Sequence, residues 1–157
     1  MKKIVNRKED IVDQMCAGMA RAHPRLLALE AKHRILRRAA LNPAKVCLIS
    51  GGGSGHEPAH AGFVGKGMLD AAVCGDVFAS PSTIQVYEAI KATRSELGTL
   101  LIIKNYSGDR MNFDSAAEMA EDDGIAVEKV YVNDDVAVKD SLYTVGRRGV
   151  AGTVFVH

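Results

Sequence analysis

The chain has 157 residues, 47% of them apolar and 25% charged, which is the make-up of one ordinary globular domain and excludes a disordered chain. The net charge of +1 is unevenly spread: residues 1–50 hold 11 Lys/Arg against 4 Asp/Glu, and residues 51–157 hold 9 against 15. No run of about 18 apolar residues offers a membrane span, and residues 1–10 turn charged too soon for a signal-peptide core. A cytoplasmic location with no membrane partner is therefore expected.

The basic N-terminal third invites a nucleic acid or an acidic partner. No stacking aromatics interleave its charges, however, so a solvated face and no nucleic acid is the expectation. Cys16, Cys47 and Cys74 are odd in number and lack C-x-x-C spacing, which argues against both a disulfide framework and a zinc site. They read as buried small hydrophobes.

Asn6 followed by Glu9 resembles a capping box, and Ile11, Met15 and Met19 repeat at four-residue spacing, so a helix is predicted over residues 7–22, ending before Pro24. Residues 26–41 read locally as a second helix. Lys45 to Ser50 is a short apolar run entering a glycine cluster, the pattern of a strand buried on both faces. A weaker strand follows at 71–74. Ser80-Pro81 then opens a helix with proline at its first position, carrying an apolar stripe of Val86, Tyr87, Ile90 and Leu97 before Gly98. The clearest buried strand is 99–103. A helix over 113–123 stops at Gly124, a strand spans 125–132, and residues 153–157 read locally as a strand. Strands alternating with helices predict an α/β fold, a mainly parallel sheet flanked by helices, with ligand loops at the carboxyl ends of the strands.

Two loops occupy that place, 51–58 and 104–112. Gly51, Gly52, Gly53 and Gly55 surround Ser54 and let backbone approach a ligand closely, and a helix starting near Pro58 would point free N–H groups at it. The loop is neither a P-loop nor G-x-G-x-x-G, because His56 stands at the third glycine position. His56-Glu57-Pro58-Ala59-His60 matches H-E-x-x-H, but Pro58 prevents the continuous helix that pattern needs, so no metal site is expected. His56 is then a loop histidine facing ligand, and His60 an ordinary helix residue. On the second loop Lys104, Asn105, Tyr106, Ser107 and Asp109 gather an ammonium, an amide, two hydroxyls and a carboxylate. Asp109 has the chemistry of a general base toward a hydroxyl; a polar turn built by Ser107-Gly108-Asp109 is the plainer reading. Converged, the two loops would suit a small polyol.

The block Ser50-Gly51-Gly52-Gly53-Ser54-Gly55-His56-Glu57-Pro58, the block from Leu101 to Asp109, and Asp134 to Tyr143 continuing to Gly146-Arg147-Arg148-Gly149-Val150 together resemble the dihydroxyacetone kinase family. They stand in family order and near family spacing, over essentially the whole chain, and most weakly at 24–44. The likeness is to the substrate-binding K subunit or domain. It implies a dihydroxyacetone (glycerone) pocket, with Gly53, Ser54, Gly55, His56, Lys104 and Asp109 as substrate contacts and His56 and Asp109 as the acid–base pair. It implies no cofactor on this chain. ADP or ATP with magnesium would sit on a separate L subunit or domain, recharged by a phosphotransferase protein or exchanged for free ATP. A homodimer is also implied, and extended structure at 26–41 with a helix near 153. Family members hold the substrate ketone as a hemiaminal on a histidine beyond the Gly-Arg-Arg-Gly block, in a K unit longer than this sequence. Residues 1–157 are thus expected to be the N-terminal portion of a K-type domain, truncated, inactive alone and weak in triose binding. The alternative function is a non-catalytic, dihydroxyacetone-binding coregulator of transcription.

Overall fold

A computed structural model of the chain describes residues 3–139 and 146–157; residues 140–143 of the third family-like block lie outside them. Six strands form one sheet: β1 (Leu27–Glu30), β2 (Ile35–Arg38), β3 (Cys47–Ser54), β4 (Ala71–Val77), β5 (Thr99–Lys104) and β6 (Val127–Val132), in the order β1-β2-β4-β3-β5-β6. β4, β3, β5 and β6 run parallel, whereas β2 is antiparallel to both β1 and β4. Among the described residues four helices accompany them: α1 (Ile11–Ala22), α2 (Thr83–Ala92), α3 (Ser107–Asp122) and the short α4 (Thr153–Val156). No helix among the described residues is long and apolar enough to cross a membrane.

Successive strand residues point to opposite faces, and here both faces are covered. Ala71, Val73, Leu101 and Ile103 pack with Val86, Ile90 and Phe113 of α2 and α3. Ala72, Cys74 and Ile102 pack with Val12 and Cys16 of α1 and with Val64 and Leu69. That is why β3, β4 and β5 read as continuous apolar runs. All three cysteines are free and buried, as expected.

Several local expectations give way. The predicted helix at 26–41 is the β1–β2 hairpin, as the resemblance implied. Leu29 pairs Leu36 and Ile35 pairs Val73, so tertiary pairing overrides the helix propensity of an Ala-, Leu- and Arg-rich segment. α1 starts at Ile11 after a single 3-10 turn, and no Asn6–Glu9 capping box forms. α2 begins at Thr83, with Ser82 and Gln85 making the capping box, so Pro81 precedes the cap and Leu97 lies beyond the helix, exposed. α3 begins at Ser107, well before 113. Ser107, Gly108 and Asp109 are turn formers that also suit a first helical turn, where N–H groups have no intrahelical partner and a carboxylate is favoured. Residues 153–156 are helical, again as the resemblance implied.

Part of the basic third is spent on ion pairs. Arg34 bridges Asp13 at 2.6 Å and also Asp76, Arg37 meets Glu30 at 3.1 Å, and Arg38 meets Asp70 at 3.0 Å.

Candidate functional site

β3 and β5 are neighbours, yet the chain leaves β3 toward β4 on one side and leaves β5 toward β6 on the other. Adjacent strands with diverging connections open a crevice at their carboxyl ends. There Gly53, His56, Lys104 and Asp109 line a pocket of about 220 Å³, which Phe78, Ser80 and Tyr106 complete. The two candidate loops therefore converge.

Gly51 to Ser54 extend β3 rather than forming a loop. A Cβ on Gly51 would lie 2.5 Å from the Val73 carbonyl oxygen, and one on Gly53 would lie 2.7 Å from the Ala79 nitrogen. These glycines let the end of β4 close against β3, a long-range demand that local flexibility does not express. Ser54 donates its hydroxyl to the Gly75 carbonyl at 2.7 Å, and the Gly55 N–H donates to the Glu57 carboxylate at 3.0 Å. Both residues flank the pocket of Gly53 and His56 without lining it.

Lys104, the last residue of β5, and Asp109, in the first turn of α3, are both buried. Burial holds the Asp109 carboxyl above the usual carboxylate range, against the opposing pull of the Ser80 hydrogen bond, Lys104 and His56. Burial also lowers the Lys104 ammonium, which Asp109 partly restores. The Lys104 ammonium lies 5.4 Å from the Tyr106 ring centre. Asp109 Oδ1 is buried with no hydrogen-bond partner among the described residues. A carboxylate oxygen in that condition is an acceptor waiting for a donor.

The two histidines of H-E-x-x-H part company. His56 is exposed at the pocket mouth, edge-on to Phe78 with ring centres 5.4 Å apart. His60 is not an ordinary helix residue, because no helix starts near Pro58: Gly62, Gly65 and Gly67 leave only a 3-10 turn at Ala61–Phe63. It is buried, with Nδ1 2.9 Å from Ser50 Oγ and 3.1 Å from His157 Nε2. The Ser50 hydroxyl is spent on the Ile102 carbonyl at 2.7 Å, so His60 Nδ1–H is the donor and its Nε2 is left unpartnered. The Gly-Arg-Arg-Gly segment closes the far side: Asp134 accepts the Val150 N–H at 2.8 Å and the Gly152 N–H at 2.6 Å. Gly149 lies against Lys104 there.

Local reading missed Ser80, Phe78 and the pocket role of Tyr106. The signal was available in part, since Phe78 and Ser80 follow β4 at the same sheet edge where ligands gather in such folds.

Residues 17–157 match the Dak1 domain family model. The chain belongs to the Dak1 family. Over its whole length it is 56% identical to the "PTS-dependent dihydroxyacetone kinase 1, dihydroxyacetone-binding subunit DhaK" of Listeria innocua, covering 48% of that protein. The crystal structure of the dihydroxyacetone kinase of C. freundii in its native form superposes with a TM-score of 0.92 at 49% identity, covering 99% of this chain and 29% of that one. A structure titled "Dihydroxyacetone kinase operon co-activator Dha-DhaQ" matches with a TM-score of 0.85 at 40% identity, over 92% of this Dak1 chain and 44% of its own. The chain thus spans about half the length of the curated relatives it matches, and matches their N-terminal part.

Proposed function

We propose that this chain is the N-terminal portion of the substrate-binding K unit of a dihydroxyacetone kinase. The observation that carries the reading is the buried Asp109, its Oδ1 without a hydrogen-bond partner among the described residues, lining a pocket shared with His56 and Lys104. In phosphoryl transfer the protein mostly positions and neutralises charge. A substrate hydroxyl donates to Asp109, whose raised basicity suits it to take the proton as the oxygen forms its bond to phosphorus. The bond from that phosphorus to the donor's leaving oxygen breaks in the same displacement. His56 supplies the second acid–base group, Lys104 counters negative charge on the substrate oxygens, and the Gly53 backbone permits close approach. Ser54 and Gly55 complete the substrate loop by fixing its shape. The phosphoryl donor belongs to a partner L unit that carries ADP or ATP with magnesium, and a second K unit completes a cytoplasmic homodimer.

The likeness to a kinase-operon co-activator means that the fold alone also accommodates the coregulator reading; His56 and Asp109 together favour the enzyme. The test is dihydroxyacetone phosphate formation by a full-length K unit carrying this sequence, supplied with its L partner. His56→Ala and Asp109→Asn should each lower turnover by about 10²–10⁴-fold. Undiminished turnover in both variants would remove the assignment.

A further inference from the structure

The His56 backbone carbonyl accepts from the Ala59 N–H at 3.2 Å, but its imidazole makes no hydrogen bond or ion pair among the described residues. The only ring against it there is Phe78, 5.4 Å away with the planes at 72°. Phe78 is unusual twice over. Its side chain is large and apolar yet 71% exposed, and its backbone sits at φ 54°, in the left-handed region that bulky residues avoid. Strain of this kind persists only where the surroundings impose it, and it gathers at working sites.

The surroundings are visible. The Phe78 N–H donates to the Ser54 carbonyl at 2.8 Å, tying the end of β4 to the end of β3. The Phe78 backbone fills the place where a Gly53 Cβ would be, at 2.9 Å, and its ring fills that of a Gly55 Cβ, at 2.7 Å. Phe78, with Ala79, thus takes up the space beside Gly53, and its ring lies over Gly55, whose φ of 109° itself calls for glycine. The left-handed turn then swings the ring across Gly55, onto His56 and into the pocket wall.

We propose that Phe78 is a positioning residue for His56: its ring, aimed by a strained turn, clamps the imidazole toward the pocket that holds Asp109. This rests on His56 acting as an acid–base group. An exposed ring contributes little to the core, so its removal leaves the fold standing, and aromatic pairs prefer this edge-to-face geometry.

The experiment has two arms. In the first, the His56 ring resonances of the chain are followed by NMR in wild type, Phe78→Leu and Phe78→Tyr. Phe78→Leu should displace the His56 resonances with an unchanged thermal midpoint, and Phe78→Tyr should restore them. In the second, turnover is measured in the full-length K unit with its L partner. Phe78→Leu should lower kcat about 10-fold or more and shift its pH profile, Phe78→Tyr should recover most of the loss, and Phe78→Leu should cost nothing further in a His56→Ala background. Unmoved His56 resonances in Phe78→Leu overturn the clamp. So does an equal loss with and without His56, which would mean that Phe78 serves partner docking instead. If His56→Ala alone keeps full turnover, the acid–base reading falls, while the NMR arm still decides whether Phe78 orients that ring.

Discussion

Asp70 and Asp109 are carboxylates of almost equal burial, 1% and 4% exposed, at opposite ends of the sheet, and their surroundings treat them in opposite ways. Asp70 accepts from Arg38 at 3.0 Å, from the Leu48 N–H at 3.0 Å and from Lys45. Burial alone would raise its pKa, but Lys45, Leu48 and Arg38 together bring it below the usual range. Asp109 has the Ser80 hydroxyl beside it and an Oδ1 with no hydrogen-bond partner among the described residues, and burial keeps its pKa high. The first is a fastener for the β1–β2 hairpin. The second is a charge held in readiness, stabilised less than the fold was able to stabilise it. A buried polar group with every partner present is structure; one left short is a candidate for chemistry.

The comparison breaks most directly at Asp70. Asp70→Ala would leave a part-buried Leu48 N–H and two half-buried cations without their buried carboxylate, and removing one member of a buried set costs about 3–5 kcal/mol. Urea unfolding of wild type and variant measures this, and a loss below about 1 kcal/mol would reduce Asp70 to a surface ion pair. Asp70→Asn, which still accepts from Leu48, should fall between the two.

This contrast marks what was legible in the sequence. β3 and β5 stood out because their apolar stretches, residues 47–49 and 100–103, have no polar residue to blur them, and the pocket residues at their ends followed from that. The hairpin was invisible locally because its charges are satisfied by Asp13, Asp70 and Asp76, distant in sequence. Without those partners Ile35 to Arg38 looks like a helix face. The glycine cluster lies at the expected sheet edge, beside the pocket, but as the end of β3 rather than as a loop. Gly51 and Gly53 answer to Val73, Phe78 and Ala79 across the sheet, contacts that no window around residue 52 contains. His60 was misplaced for the same reason, since its partners Ser50 and His157 lie 10 and 97 residues away.

His60 sharpens the comparison as a buried group of the other charge type. Burial first, then the charges of Lys104, His157 and His56, push its pKa well below the usual 6.5. The unfolded chain takes up a proton below about pH 6.5 while folded His60 stays neutral. The unfolded state therefore binds more protons there, and stability falls as pH drops from that point, by at most about 1.4 kcal/mol per pH unit from this residue. Burial pushes His157 the same way. His60→Asn, whose amide can still donate to Ser50, should flatten the pH dependence of urea stability between about pH 6.5 and 5. An unchanged slope would show that His60 carries a proton in the fold.

The smallest effect is the most diagnostic. Asp109 is raised by burial, so between the unfolded value of 3.8 and its folded value the native state holds a proton that the unfolded state has released. Stability then falls as pH rises through that interval, and the cost stands in full at neutral pH. Asn cannot ionise and can still accept from Ser80. Asp109→Asn should therefore be more stable than wild type at pH 7, by roughly 1 kcal/mol or about 2–4 °C in Tm, as expected when a working site is relieved of its charge. The advantage should vanish below the unfolded value, where both wild-type states keep the proton. Asp70 must show the reverse, because its contribution is present above that same 3.8 and is lost as acid protonates the folded carboxyl. Thermal unfolding of Asp109→Asn and Asp70→Asn from pH 3 to 7 should thus give difference curves of opposite sign. If Asp109→Asn is instead less stable at pH 7, then Asp109 is a fastener like Asp70, and the claim that its charge is held for chemistry fails with it.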